Sequence, residues 1–150
     1  MEKVLIYRGA FFERSEPFVH YQVKAVNEIR AVFLLSHHFL NLGNFKLPSD
    51  VSKTTIPQKP IGIAERIHHF INRKYSRFEN RLVPSAEKVT KKLIENNSIK
   101  VVHAHFGNNA LRILPVVIKL NLKLIVSFHG FDASKLLHNS TYTAQLPLLF

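Results

Sequence analysis

The sequence predicts an α/β fold with a doubly wound, Rossmann-like parallel sheet, and three observations carry that prediction. Two β-branched runs, Lys100-Val-Val-His-Ala-His-Phe-Gly107 and Lys123-Leu-Ile-Val-Ser-Phe-His-Gly130, each pass into histidine and then glycine, with a helix-length segment between them. Two earlier apolar runs, Lys3–Tyr7 and Ala31–Leu35, bracket an amphipathic segment in the same way. The whole order reads β-α-β, excursion, α-α-β-α-β, and strands separated by helices require crossover connections and therefore parallel pairing.

Each element has a local reason. Lys3–Tyr7 is an almost unbroken apolar run, as a strand buried on both faces requires. Arg8–Arg14 follows as a loop. Ser15 can cap a helix, Glu16 suits its positive end, and Pro17 is tolerated in its first turn. That helix runs to about Ile29, with Val19, Val23, Val26 and Ile29 facing inward and Gln22 and Lys24 outside the stripe. Residues 41–60 contain Pro48, Pro57 and Pro60 and little pattern, so a long excursion is expected. Ile63, Ile67, Phe70, Ile71, Phe78 and Leu82 then fall at helical spacing, with Arg66, Arg73, Lys74, Arg77 and Arg81 mostly on other faces. Pro84 breaks this helix and Ser85 caps the next, which ends near Asn96 and Asn97. Ile99–His105 is a strand, Asn109–Leu120 a helix in which Pro115 introduces a kink or delays the start, and Lys123–His129 the last strand. The ending, Gln145–Phe150, carries no stop signal, so the sheet reads as unfinished.

Composition narrows the classes. The chain has 150 residues, 46% of them hydrophobic, enough for one domain with a sizeable core. Cysteine is absent, which excludes disulfides and thiolate metal sites and fits a reducing cytosol. No stretch approaches the ~20 apolar residues of a membrane span. The formal charge of +11 attracts phosphates, nucleic acid or an anionic leaflet without choosing among them. Gly-x-Gly-x-x-Gly, the P-loop and the Gly-x-Ser-x-Gly elbow do not occur, so a self-sufficient dinucleotide or triphosphate site and a hydrolase nucleophile are not expected.

The histidines are the leading site candidates. His103 and His105, two apart on a strand, point to one face, and His129 ends the neighbouring strand. In the usual strand order the opening strand and Ile99–His105 flank the switch point, so the loops after them line one crevice. Gly107 and Gly130 leave room for a ligand against the backbone, and helix starts at Ser15 and near Asn109 offer N–H groups to an anion. A core role for His103 stays open, as does N-capping of a short helix at Ala133 by Asp132. A His-x-His pair also suits a zinc hydrolase barrel, but such barrels need about 250 residues. The basic segment Ile63–Leu82 has two readings: a core-packed helix with a solvated cationic face, or a helix docked on an anionic bilayer with Phe70 and Phe78 entering it. Its phenylalanines sit at core spacing rather than forming a stacking platform, so a nucleic-acid interface is not expected.

His103-Ala-His-Phe-Gly107, followed after one helix by Ser127-Phe-His-Gly-Phe-Asp-Ala-Ser134, resembles the family 4 glycosyltransferases, especially enzymes that build bacterial exopolysaccharide, colanic-acid-type polymers and lipopolysaccharide. Glu13-Arg-Ser-Glu-Pro-Phe-Val19 with Gln22 resembles the family's N-terminal loop and helix, with Pro17 in place of the usual threonine. The resemblance implies the N-terminal, acceptor-binding half of a GT-B fold, with the nucleotide-sugar-binding C-terminal domain absent from residues 1–150. It further implies retaining, metal-free transfer without a cofactor, the nucleotide-sugar being a co-substrate. His129 would be the catalytic residue approaching the transferred sugar. Arg8, Gly9, Ser15, Glu16, His105, Gly107, Gly130 and Asp132 would bind substrate. The acceptor would be a lipid-linked saccharide, met in the cytoplasm or on the inner face of the plasma membrane. The family's pair of donor-side glutamates seven residues apart is matched in spacing by Glu79 and Glu87, but Pro84 lies between them and both precede the histidine strands. Two other classes remain: a stand-alone, flavodoxin-like basic module that binds an anionic ligand without catalysis, and a metal-dependent hydrolase.

Overall fold

The computed structural model describes residues 2–11, 17–40, 46–75 and 81–150, with backbone alone for 72–75. Ser15, Glu16, Phe78 and Glu79 lie outside the described residues. The elements are β1 (Lys3–Tyr7), β2 (Ala10–Phe11), α1 (Pro17–Asn27), β3 (Ala31–Ser36), β4 (His38–Phe39), β5 (Ser52–Thr55), α2 (Gly62–Tyr75), α3 (Pro84–Asn97), β6 (Val101–His105), α4 (Gly107–Lys119), β7 (Lys123–Ser127) and α5 (Ser140–Gln145), with short 3₁₀ turns at Lys135–His138 and Leu146–Leu149.

Five strands form one parallel sheet in the order β5-β3-β1-β6-β7. Connections run outward in one direction through β3 and β5, then return across β1 to β6 and β7, so the switch point lies between β1 and β6. This is the Rossmann-like α/β fold expected from the sequence. Alternation along β1 divides the core. Val4 and Ile6 face α1, packing with Val19 and Val23, while Leu5 and Tyr7 face α3 and α4, packing with Ala86, Ile94, Ile113 and Val117. β2 and β4 make a separate two-stranded parallel pair at the sheet's upper edge, where Phe11 stacks on Phe39.

Several expectations change. The excursion at 41–60 contains a strand, β5, which pairs with β3. Ile29 is exposed rather than inward, because α1 ends at Asn27. The last strand ends at Ser127, leaving His129 in the loop beyond it. Helix α4 starts two residues earlier than predicted, at Gly107, and takes Pro115 inside it. The basic helix is described over Gly62–Tyr75, and Leu82 is a core residue just before α3. Ile63, Ile67, Phe70 and Ile71 are exposed, which overturns the core-packed reading of this helix. Among the described residues no helix is long and apolar enough to cross a membrane.

Candidate functional site

The parallel sheet delivers the C-terminal ends of β1, β6 and β7 to one edge, and the candidate residues gather there. β6 carries His103 and His105 on the face it shares with Ile6 and with Ile125 and Ser127. Their rings lie 4.6 Å apart between centroids. The His105 ring is stacked at 5.5 Å and 11° on that of His129, and His105 Nδ1 lies 3.2 Å from His129 Nε2. His103 Nε2 is 2.8 Å from the Ser127 hydroxyl. The three imidazoles therefore form a short column from inside the sheet to its mouth.

Aromatic rings frame the outer end of that column. Phe106 and Phe18 approach His129 at 4.5 and 4.6 Å. The buried Arg8 guanidinium sits 5.1 Å over the Phe106 ring, a cation–π arrangement. Phe106 adopts φ 71° as the residue that turns β6 into α4. Such a left-handed conformation is strained for a bulky side chain, and strain of this kind concentrates at functional sites.

Burial keeps the column uncharged. His105 is fully buried, and desolvation pushes it down to about 3, with the charges of His103, His129 and Arg8 acting in the same direction. His103 is lowered by burial and by His129. His129 is lowered by burial, against the pull of Asp132 and with the push of Arg8. At neutral pH all three are neutral imidazoles, each with one donor and one acceptor nitrogen. His105 Nε2 is buried without a hydrogen-bond partner among the described residues. His129 is only partly buried, its Nε2 faces His105, and its Nδ1 makes no hydrogen bond among the described residues, so Nδ1 is the nitrogen free to meet a ligand.

Asp132 makes contacts other than the helix cap expected of it. It is fully buried; Oδ2 accepts a short hydrogen bond from Gly107 N and Oδ1 accepts from His129 N at 2.6 Å. It does not cap a helix at Ala133. It caps α4 from 25 residues away and fixes the His129 backbone to that helix. The α4 N-terminus expected to receive an anion thus already holds the protein's own carboxylate. Gly107 also departs from expectation. A Cβ there would lie 2.6 Å from Phe128 Cε1 and closer still to Tyr142 Oη, so the missing side chain makes room for these two rings. Gly130 does face open space, and Gly9 meets only Asn109 Oδ1 at 3.4 Å. Asn109, buried, donates from Nδ2 to the His105 carbonyl at 2.9 Å and so ties β6 to α4.

The structure therefore brings Arg8, His105, His129 and Asp132 together, while Ser15 and Glu16 lie outside the described residues. Phe18, Phe106 and Asn109 join the site unannounced. Phe106 lies inside the histidine-glycine signature, Phe18 inside the Glu13–Val19 segment and Asn109 two residues past Gly107, and those positions were their signal. Glu87 is bound to Arg81 and Lys91 on α3, which leaves it outside this histidine column. Among the described residues no group of three His, Cys, Asp or Glu side chains is arranged to hold a metal ion.

The fold has solved counterparts. The chain is similar to a sucrose-phosphate synthase from Thermosynechococcus elongatus, with 10% identity and a TM-score of 0.55 over 93% of this chain; it spans 36% of that chain. It is also similar to the C-terminal domain of a hydrogenase from Pyrococcus furiosus, with 17% identity and a TM-score of 0.49 over 83% of this chain and 89% of that one. No protein-family model and no curated protein matches the sequence. At these identities the likeness to the synthase speaks for the Rossmann-like α/β fold.

Proposed function

We propose that this chain is the acceptor-side half of a retaining family 4 glycosyltransferase of GT-B architecture, whose nucleotide-sugar half lies outside residues 1–150. The observation that carries the reading is the meeting of two sequence signatures: His105 from the first and His129 from the second stack at the mouth of the switch point. The fold likeness to a sucrose-phosphate synthase, of which this chain spans 36%, supports it. On this reading the acceptor is a lipid-linked saccharide and the setting is the cytoplasmic face of a membrane.

The chemistry of the site suits a neutral polyol. Neutral imidazoles accept from and donate to hydroxyl groups, and an exposed aromatic face such as that of Phe18 packs against sugar C–H surfaces. His129 Nδ1 is placed to orient a hydroxyl, and Arg8 supplies the positive charge that a departing diphosphate needs. The occupied α4 N-terminus weighs against the rival reading, a module built to bind an anion at this edge, because an incoming phosphate would meet the Asp132 carboxylate.

Binding followed through the imidazole NMR signals tests this. A saccharide acceptor should shift the imidazole resonances of the column, and His129→Ala should weaken the saccharide-induced shift of the remaining His103 and His105 signals, while the nucleotide-sugar alone leaves them silent. Sugar transfer by the isolated chain would overturn the half-enzyme reading. Saturation by inorganic phosphate with no response to saccharide would replace it with the binding module.

A further inference from the structure

We infer that the pocket between α3 and the end of α4 is a binding site for a small soluble polyphosphate anion, an assignment that stands independently of sugar transfer. It belongs to the α3–α4 side of the sheet, whereas His103 and His105 share the opposite face with Ile6. The pocket measures about 390 Å³ and is lined by Arg81, Lys88, Lys91 and Lys119, with Pro84, Glu87 and His68 of α2 completing the wall.

Charge inside it is out of balance. Four permanent cations face one carboxylate, and that carboxylate is already committed. Glu87 accepts from Arg81 Nη2 at 2.8 Å and, one turn along α3, from Lys91 Nζ. The Arg81, Glu87 and Lys91 side chains are only 22%, 15% and 21% exposed, so the ion pairs hold two of the cations in fixed places. Lys91 also comes within hydrogen-bonding reach of the Lys119 ammonium group. An ammonium group only donates, so these two cannot satisfy each other, whereas an anionic oxygen between them accepts from both. Lys88 and Lys119 are exposed at the rim, where their chains can fold onto a ligand.

The lining selects the class of ligand. Pro84 is its one apolar residue and His68 its one ring, which gives an acyl chain nothing to enter and a nucleobase little to stack on. Recognition therefore runs through the anionic groups themselves. Once Glu87 has offset one cation, three positive charges remain on the wall, and a di- or triphosphate matches them better than a single phosphate does. An anion held by Lys91 of α3 and Lys119 of α4 also ties these helices together and stabilises the folded chain.

Calorimetric titration of the full chain with inorganic tripolyphosphate tests the assignment. One equivalent should bind, at least about tenfold more tightly than orthophosphate, because further charge-assisted contacts form. Lys88→Gln and Lys119→Gln should each weaken binding about tenfold, the effect of losing one such contact. Lys53→Gln, on the edge strand β5, removes the same charge elsewhere and should change nothing. All three positions are exposed, and circular dichroism verifies the fold of each variant. In NMR titrations the His68 imidazole signals should move while those of His129 stay in place. Equal weakening by all three substitutions would overturn the site, leaving only a diffuse attraction to a chain of formal charge +11. Movement of the His129 signals instead of those of His68 would overturn it too, by seating the anion at the histidine edge. Absence of saturable tripolyphosphate binding, with anionic vesicles bound through Lys88 and Lys119, would assign these cations to a lipid surface and sink the proposal.

Discussion

His105 should make this fold acid-sensitive in a way one substitution can isolate. Its side chain is fully buried between two other imidazoles, and its pKa falls from 6.5 to about 3. A histidine depressed on folding binds its proton more readily in the unfolded chain, so stability is complete above the unfolded pKa and declines as pH falls below it toward the folded value. Each pH unit in that window is worth ~1.4 kcal/mol. Between pH 7 and pH 5 the loss is about 2 kcal/mol, and the figure hardly changes if the folded value is anywhere below 4. For a domain of this size that corresponds to roughly 4–8 °C in Tm. His105→Asn keeps a polar group able to donate or accept toward His129 and removes the titration. Thermal unfolding of parent and variant at both pH values gives the comparison. The variant should lose less Tm on acidification by that margin, while His103 and His37, also lowered by burial, keep its own curve sloping. Parallel curves for the two proteins would refute the assignment of a buried, neutral His105.

Other outcomes follow from the same geometry. Gly107→Ala drives a methyl group into Phe128 and Tyr142 and should destabilise by about 1–3 kcal/mol in denaturant midpoints, as overpacking does. Tyr142→Phe should restore part of that loss, since it removes the nearest obstructing atom. On its own Tyr142→Phe should leave stability unchanged or slightly raised, because the buried hydroxyl has no hydrogen-bond partner among the described residues. Asp132→Ala strips two N–H groups of their acceptor and should cost about 3 kcal/mol, with hydrogen exchange accelerated selectively at Gly107 and His129; unchanged exchange there would rule out the clamp.

The sequence made the sheet's centre legible and its margins much less so. β1, β3 and β6 announce themselves because burial on both faces demands continuous apolar runs, and the spacing of His103 and His105 fixes their common face. β5 was missed because Ser52-Lys53-Thr54-Thr55 is an edge strand, largely exposed, with no apolar residue to reveal it. The stripe on α2 was visible as a period, but a period says which residues share a face, not whether anything covers it. Ile29 failed differently, since the helix stops before it. In the site, contact between His105 and His129 follows from strand adjacency. The Asp132 clamp does not, because it joins residues 25 apart through a loop whose path no local pattern specifies. The reason for Gly107 lies farther away still, in Tyr142.

The two margins of the sheet are chemically unequal, and this gives any growth of it a direction. β5 closes one side with a short, polar, lysine-bearing strand, the kind of edge that resists pairing. Within residues 1–150 the other margin is β7, where Leu124, Ile125 and Val126 follow an exposed Lys123 and Ile125 is 51% exposed. Within residues 1–150 the β7 side is therefore the more apolar place for a further strand to join. Two copies meeting through β7 would use up both receptive margins at once and present only polar ones outward.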